Sequence, residues 1–113
     1  MKAIYLVLFL ILFSLNINTL KADSKMEMGL EVYNNKAMCG ACHTLSVAGS
    51  AGKIGPNLDY LKLQIPQIIL SVTNGIGVMP AFEGMLTSEE IELLPILSRL
   101  VQINNFKRFY KVL

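Results

Sequence analysis

The sequence predicts a small all-α domain of three to five helices behind an N-terminal leader. Three observations carry this. The chain has 113 residues, room for one core and no second domain, which excludes a multidomain enzyme. Two capping boxes, Ser24 with Glu27 and Thr87 with Glu90, each open a stretch of helical apolar spacing. No strand-like alternation precedes the first cysteine, Cys39.

The leader comes first. Hydrophobic residues make up 53% of the chain and mean hydropathy is +0.51, but the eleven apolar positions from Ala3 to Phe13 inflate both figures. Lys2 precedes that run, Ser14 and Asn16 close it, and the small Ala22 stands before Asp23. The pattern is that of a secretory signal peptide over residues 1–22, leaving a domain of residues 23–113 in the periplasm. An uncleaved membrane anchor is the competing account. Eleven to thirteen residues at about 1.5 Å each span roughly 20 Å, short of a hydrocarbon core of about 30 Å. Leu20, three positions before the cut, departs from the small residue preferred there.

Cleavage also changes the charge. Ten basic and eight acidic residues give +2, and the leader takes away Lys2 and Lys21 with no acid, so eight basic residues then face eight acidic ones. A neutral chain lacks the clustered cations that nucleic acid requires, and that class is excluded. A secreted domain of this size needs a staple such as a disulfide or a metal centre.

Ser24 with Glu27 caps a first helix from Lys25 to about Asn35, with Leu30 and Tyr33 on one face. After it stands Met38-Cys39-Gly40-Ala41-Cys42-His43. Cys-x-x-Cys-His is the signature of covalent c-type haem attachment. Two thiols one tight turn apart add to the two vinyl groups of a haem edge, and the adjoining imidazole sits under the iron. Gly40 and Ala41 let the backbone lie close to the macrocycle. Three plainer accounts compete. A disulfide across two residues constrains little of the unfolded chain. A thioredoxin-like pair needs a βαβ setting that is missing. A structural zinc site needs four protein ligands, and the chain has no third cysteine or second histidine.

Residues 44–58 read as a Gly-rich, solvated loop. The run Ala48-Gly49-Ser50-Ala51-Gly52-Lys53 fails as a phosphate loop, because Val47 stands where the first glycine belongs and Ile54 follows the lysine. Asp59 caps a short helical piece to Gln64, and Pro66 begins a helix through Ile68, Ile69 and Val72 that Gly75 ends.

The next loop addresses the open side of the iron. His43 is the only histidine, so a carrier's second axial ligand within this chain is a methionine. Met1 leaves with the leader, Met38 is tied to the attachment turn, and Met26 and Met28 belong to the first helix. Met79 and Met85 remain. Met79 lies in Asn74-Gly75-Ile76-Gly77-Val78-Met79-Pro80-Ala81-Phe82, where glycines break the helix and Pro80 resists another. That context favours Met79, with Phe82 against the haem edge; core filler is the ordinary role of any one methionine.

The final helix opens at Thr87 and carries an apolar stripe of Leu93, Leu94, Leu97, Leu100 and Val101. Pro95 falls inside it and predicts a kink. The tail 106–113 contains Phe106-Lys107-Arg108-Phe109-Tyr110-Lys111, basic and aromatic together. It reads as a solvated helix end whose cations suit the dipole, with a docking tail as the alternative.

The attachment motif near the start of the secreted chain, Gly55-Pro56-Asn57-Leu58 after it, then Met79-Pro80-Ala81-Phe82 and a last helix, stand in a specific order. From Ser24 to about Asn104 the chain resembles a small class I cytochrome c, similar to the cytochrome c-553 and c6 types. The order excludes the class II four-helix bundles, whose attachment motif lies near the C-terminus. The resemblance implies helices wrapped around one covalently bound haem c, attached at Cys39 and Cys42, with His43 and Met79 as axial ligands to iron. It implies that the Pro56 carbonyl accepts a hydrogen bond from His43 Nδ1, where the plainer account is a turn proline. It places Gly29 and Tyr33 where the first and last helices cross. Leu97, where an aromatic is common, and Pro95 depart from the pattern and put the crossing geometry in question.

The function implied is single-electron transfer between redox partner proteins, a donor and an acceptor. A methionine on the iron leaves no substrate position, hence a carrier rather than an enzyme. Other readings stay open. The Gly77–Phe82 run also resembles small cytochrome subunits paired with sulfite dehydrogenases, which implies association with a larger periplasmic enzyme. A gas-binding or peroxidatic haem protein requires Met79 off the iron, and a thiol-disulfide protein requires no haem at all.

Overall fold

The computed structural model describes residues 1–112, apart from the side chains of residues 13–21, Phe106 and Phe109. Among these, three α-helices carry the fold, α1 (Lys2–Glu31), α2 (Ile65–Asn74) and α3 (Ser88–Val112), with a small ribbon of β1 (Thr44–Leu45) and β2 (Ser50–Ala51) between α1 and α2. The helical expectation holds, with the ribbon as an addition.

Helix α1 differs from expectation at its start. It runs unbroken from Lys2, so the Ser24–Glu27 box lies in the helix interior. No glycine or proline precedes Gly29, and a helix already formed propagates through Ser24, which finds no terminal N–H to cap. The apolar side chains from Ile4 to Leu12 are 50–70% exposed, whereas the helix first meets the core at Met26, Gly29 and Leu30. Its end agrees with expectation to within a residue. One π-helical turn, Val32–Lys36, finishes it and buries Val32 and Tyr33.

Gly29 sets the crossing of α1 on α3. A Cβ there would lie 3.1 Å from the Leu93 carbonyl oxygen and 3.6 Å from Leu97 Cδ2. Leu97 is fully buried at this contact, so leucine fills the place of an aromatic. Helix α3 is continuous across Pro95. The proline ring is itself wholly buried in the core, so packing compensates for the lost Ile91 carbonyl bond. The start of α3 is as expected: Thr87 N–H donates to Glu90 Oε2 at 3.0 Å and Glu90 N–H to Thr87 Oγ1 at 3.2 Å. Glu90 also pairs with Lys36, joining the end of the first helix to the start of the last.

Two connecting segments differ from the sequence reading. No helix forms over 59–64. Asp59 spends its carboxylate on the Ser46 N–H and Oγ, both at 2.9 Å, and its own N–H on Asn57 Oδ1 in an Asx turn, so it caps nothing downstream. The segment read as a solvated loop closes the antiparallel ribbon, Thr44 opposite Ala51 and Leu45 opposite Ser50. Leu45 is 1% exposed and pins the ribbon to the core. Two residues per strand are too few to show a period in sequence.

Helix α2 has Pro66 in its first turn, Gln67 Oε1 accepting the Gln64 N–H at 2.9 Å, and Gly75 (φ +74°) at its end. The chain then doubles back along it, Phe82 N–H bonding the Val72 carbonyl at 2.9 Å. Beyond Val101, α3 presents exposed Lys107, Arg108, Tyr110 and Lys111. The aromatic share of that tail contributed by Phe106 and Phe109 lies outside the described residues.

Candidate haem-binding site

The attachment turn begins with a reversal. Met38 takes the left-handed conformation (φ +51°, ψ +37°), which swings the chain out of the π turn. Cys39–Ala41 then form one 3-10 turn, with Cys42 N–H on the Cys39 carbonyl at 3.1 Å and His43 N–H on the same oxygen at 2.9 Å. Both cysteines are free and half-buried on this single turn. Burial pushes the Cys39 thiol up to about 11, which keeps it protonated at neutral pH.

Residues 55–58 run beside the turn and are stitched to it, Gly55 N–H to the Cys42 carbonyl at 2.8 Å and Leu58 N–H to the Thr44 carbonyl at 2.9 Å. That brings the Pro56 carbonyl 2.7 Å from His43 Nδ1. The imidazole lies against Gly55, where a Cβ would fall 2.4 Å from Cε1, 2.7 Å from Nδ1 and 2.9 Å from Nε2. Gly52 lies against the backbone of the attachment turn, where a Cβ would meet Cys42 C, Gly40 O and His43 N at 2.6–2.7 Å. Only glycine fits at either place.

Tyr33, expected at the helix crossing, also reaches the attachment turn. Its ring is buried, and its hydroxyl lies 3.1 Å from Ser50 Oγ and 3.4 Å from the His43 carbonyl. Burial raises its pKa above the usual tyrosine value, a shift the Ser50 bond partly offsets.

Met79 sits apart from this network on a two-residue hairpin. Ile76 and Met79 exchange backbone bonds of 3.1 and 2.9 Å around Gly77 (φ +54°) and Val78. Gly75 backs onto the hairpin, a Cβ there lying 2.6 Å from the Met79 carbonyl oxygen. Met79 is half-buried against the core beside buried Phe82, while Met85 is 68% exposed. Cys39, Cys42, His43 and Pro56 thus share one bonded network, and Met79 is held by a second loop on the same core.

The residues fit a covalent haem. They offer two free thiols on one turn for thioether formation, an imidazole with Nδ1 already committed, and glycines where a side chain would strike that imidazole or its turn. Residues 24–94 match the family described as cytochrome c oxidase, cbb3-type, subunit III. The chain belongs to that family of cytochrome c domains and is a small class I monohaem cytochrome with covalently bound haem c, and Cys39 and Cys42 fit the attachment motif. It is similar to cytochrome c6 of Microcystis aeruginosa, 37% identical over 60 residues, which is 50% of this chain and 74% of the relative. It is also similar to the crystal structure of the c-type cytochrome SorU from Sinorhizobium meliloti. That similarity is 42% identity at a TM-score of 0.65, covering 70% of this chain and 92% of the other. Haem-based electron transfer is the activity this membership establishes.

Sequence reasoning missed the steric roles of Gly52 and Gly55 and the bonding of Ser50. Gly55 was legible in principle, as a glycine before the proline that receives the histidine. Ser50, inside a Gly-Ser-Ala-Gly run, carried no signal.

Proposed function

We propose that residues 1–22 export the chain, that residues 23–113 form the working protein in the periplasm, and that it carries single electrons between two redox proteins with His43 and Met79 as axial ligands. The observation that carries this reading is the 2.7 Å bond between His43 Nδ1 and the Pro56 carbonyl. It commits the Nδ1 proton to a fixed acceptor, leaves Nε2 as the donor for a metal and fixes the orientation of the ring.

Haem, when bound, supplies the ferrous–ferric couple. Cys39 and Cys42 hold its edge, and the Pro56-oriented imidazole keeps one geometry through both states, which favours fast exchange. Met79, on a hairpin stiffened by Pro80, closes the remaining position with a thioether, which favours the ferrous state and excludes small-molecule substrates. The exposed apolar side chains from Ile4 to Leu12 support the leader reading, because among the described residues the core begins only at Met26. Among the described residues no helix is long and apolar enough to cross a membrane.

Expression with a haem-attachment system, followed by cell fractionation, mass measurement and redox titration, tests the proposal. The expected product is periplasmic, begins at Asp23, holds one covalent haem and titrates reversibly with one electron. A membrane-bound product retaining residues 1–22, or a ferrous form that binds carbon monoxide at neutral pH, would contradict it. Stable copurification with a larger dehydrogenase would mark the chain as that enzyme's haem subunit.

A further inference from the structure

We propose that Ser50 and Tyr33 are positioning residues for His43: the Ser50 hydroxyl holds its backbone carbonyl, the Tyr33 hydroxyl holds Ser50, and together they fix the end of the attachment turn. The inference rests on the reading of His43 as an iron ligand.

The ring of His43 is held from outside by Pro56 and Gly55, but its direction also depends on the backbone from which it springs. The amide side of that backbone is set within the turn, by the bond from His43 N–H to the Cys39 carbonyl at 2.9 Å. The carbonyl side points away from the turn, toward two hydroxyls. Ser50 Oγ donates to it at 2.9 Å, and Tyr33 Oη lies 3.4 Å from it.

Ser50 is fully used in this arrangement. A hydroxyl has one proton and two lone pairs. The proton goes to the His43 carbonyl, one lone pair accepts the Leu45 N–H at 3.0 Å, and the other accepts the Tyr33 hydroxyl at 3.1 Å. Tyr33 comes from the π turn that ends the first helix, and Ser50 from β2. The helix, the ribbon and the attachment turn therefore meet at one oxygen pair beside the histidine.

Gly40 shows that the attachment turn is shaped around this pair. A Cβ on Gly40 would fall 2.8 Å from Ser50 Cβ and 3.6 Å from Tyr33 Cε1. The small residue after Cys39 thus makes room for Ser50 as well as for a macrocycle. A purely structural account would have Ser50 do no more than satisfy the Leu45 amide in the ribbon. Thr44 provides the comparison, because its hydroxyl ties the same ribbon to the Gly52 carbonyl at 2.9 Å without touching the His43 carbonyl.

The experiment uses the haem-loaded protein and five variants, Ser50→Ala, Tyr33→Phe, the double variant of these two, Ser50→Thr and Thr44→Val. It reads the paramagnetically shifted proton resonances of the His43 ring and the midpoint potential. Ser50→Ala and Tyr33→Phe should each move the ring resonances. Each should also raise the ferrous-to-ferric ratio at fixed potential, because a loosened imidazole bonds Pro56 less well and donates less to iron. A tenfold change in that ratio is 59 mV for one electron and is the upper end expected. Ser50→Thr should restore both readouts, the Ser50–Tyr33 double variant should fall short of the sum of the singles, and Thr44→Val should leave both in place. Ring resonances and potential unchanged in Ser50→Ala and Tyr33→Phe, or moved as far by Thr44→Val, would overturn the inference. The ligand reading has a separate check: a His43→Ala protein that keeps the wild-type low-spin spectrum would overturn that reading, and this inference with it.

Discussion

The imidazole of His43 occupies the space that a side chain on Gly55 would need, with its Cε1 only 2.4 Å from where that Cβ would stand. The glycine and the neighbouring Pro56 carbonyl act as a pair, one admitting the ring and the other gripping it. Gly55→Ala should push the ring off the Pro56 oxygen and destabilise the protein by about 1–3 kcal/mol, the usual range for overpacking. Thermal melts of the loaded protein, read with the visible spectrum, check this. An alanine variant with wild-type stability and spectrum would show that the loop yields instead.

Gly29 puts two known effects in opposition. Alanine in a helix interior gains about 1 kcal/mol over glycine, whereas forcing a methyl into a packed contact costs about 1–3 kcal/mol. At Gly29 the obstacle is the Leu93 backbone oxygen, 3.1 Å away, which cannot rotate aside. Overpacking should win, and denaturant titration of Gly29→Ala should show a net loss of about 1 kcal/mol. Leu97→Ala, which empties the other side of the crossing, should lose about 2–5 kcal/mol.

The start of α3 should respond to acid through Glu90. The Lys36 ammonium and the Thr87 N–H hold its carboxyl below the usual carboxylate range. A depressed folded-state value means that the contribution is present above the ordinary glutamate range and is lost as pH falls through the folded value. Glu90→Gln should flatten the pH dependence of stability in that acid window and leave its slope near neutrality alone. Thr87→Ala, which removes the reciprocal cap, should cost about 1 kcal/mol at all pH values.

Met85 provides a contrast to Met79. Its side chain is 68% exposed, so Met85→Ala should change stability by no more than about 0.5 kcal/mol and leave the visible spectrum as it is. A spectral change in Met85→Ala would move the ligand assignment six residues along the chain.

Much of this was legible in the sequence, for local reasons. The capping box at Thr87, the stop at Gly75 and the haem-attachment motif are short-range patterns whose partners lie within a few residues, so spacing alone exposes them. Pro56 was legible through family resemblance, and the 2.7 Å bond places its carbonyl where that resemblance implied. What escaped depends on long-range neighbours. Asp59 looked like a helix cap until Ser46, thirteen residues earlier, took its carboxylate. Ser24 looked like a helix start because nothing at that position records that a helix already runs through it. The burial of Pro95 was not legible, because sequence does not show a core closed around its ring. Ser50 looked like loop because its partners, Tyr33 and the His43 carbonyl, lie on other elements.

The most direct test of the central claim is the visible spectrum of the loaded protein, oxidised and reduced, compared with that of Met79→Ala, both recorded natively and again after denaturation to release any haem not covalently held. The account predicts covalent haem in both proteins, a low-spin spectrum with sharp reduced-state bands in the native wild type, and a high-spin spectrum in native Met79→Ala. A colourless protein with two titratable thiols, or a Met79→Ala spectrum identical to wild type, would contradict it.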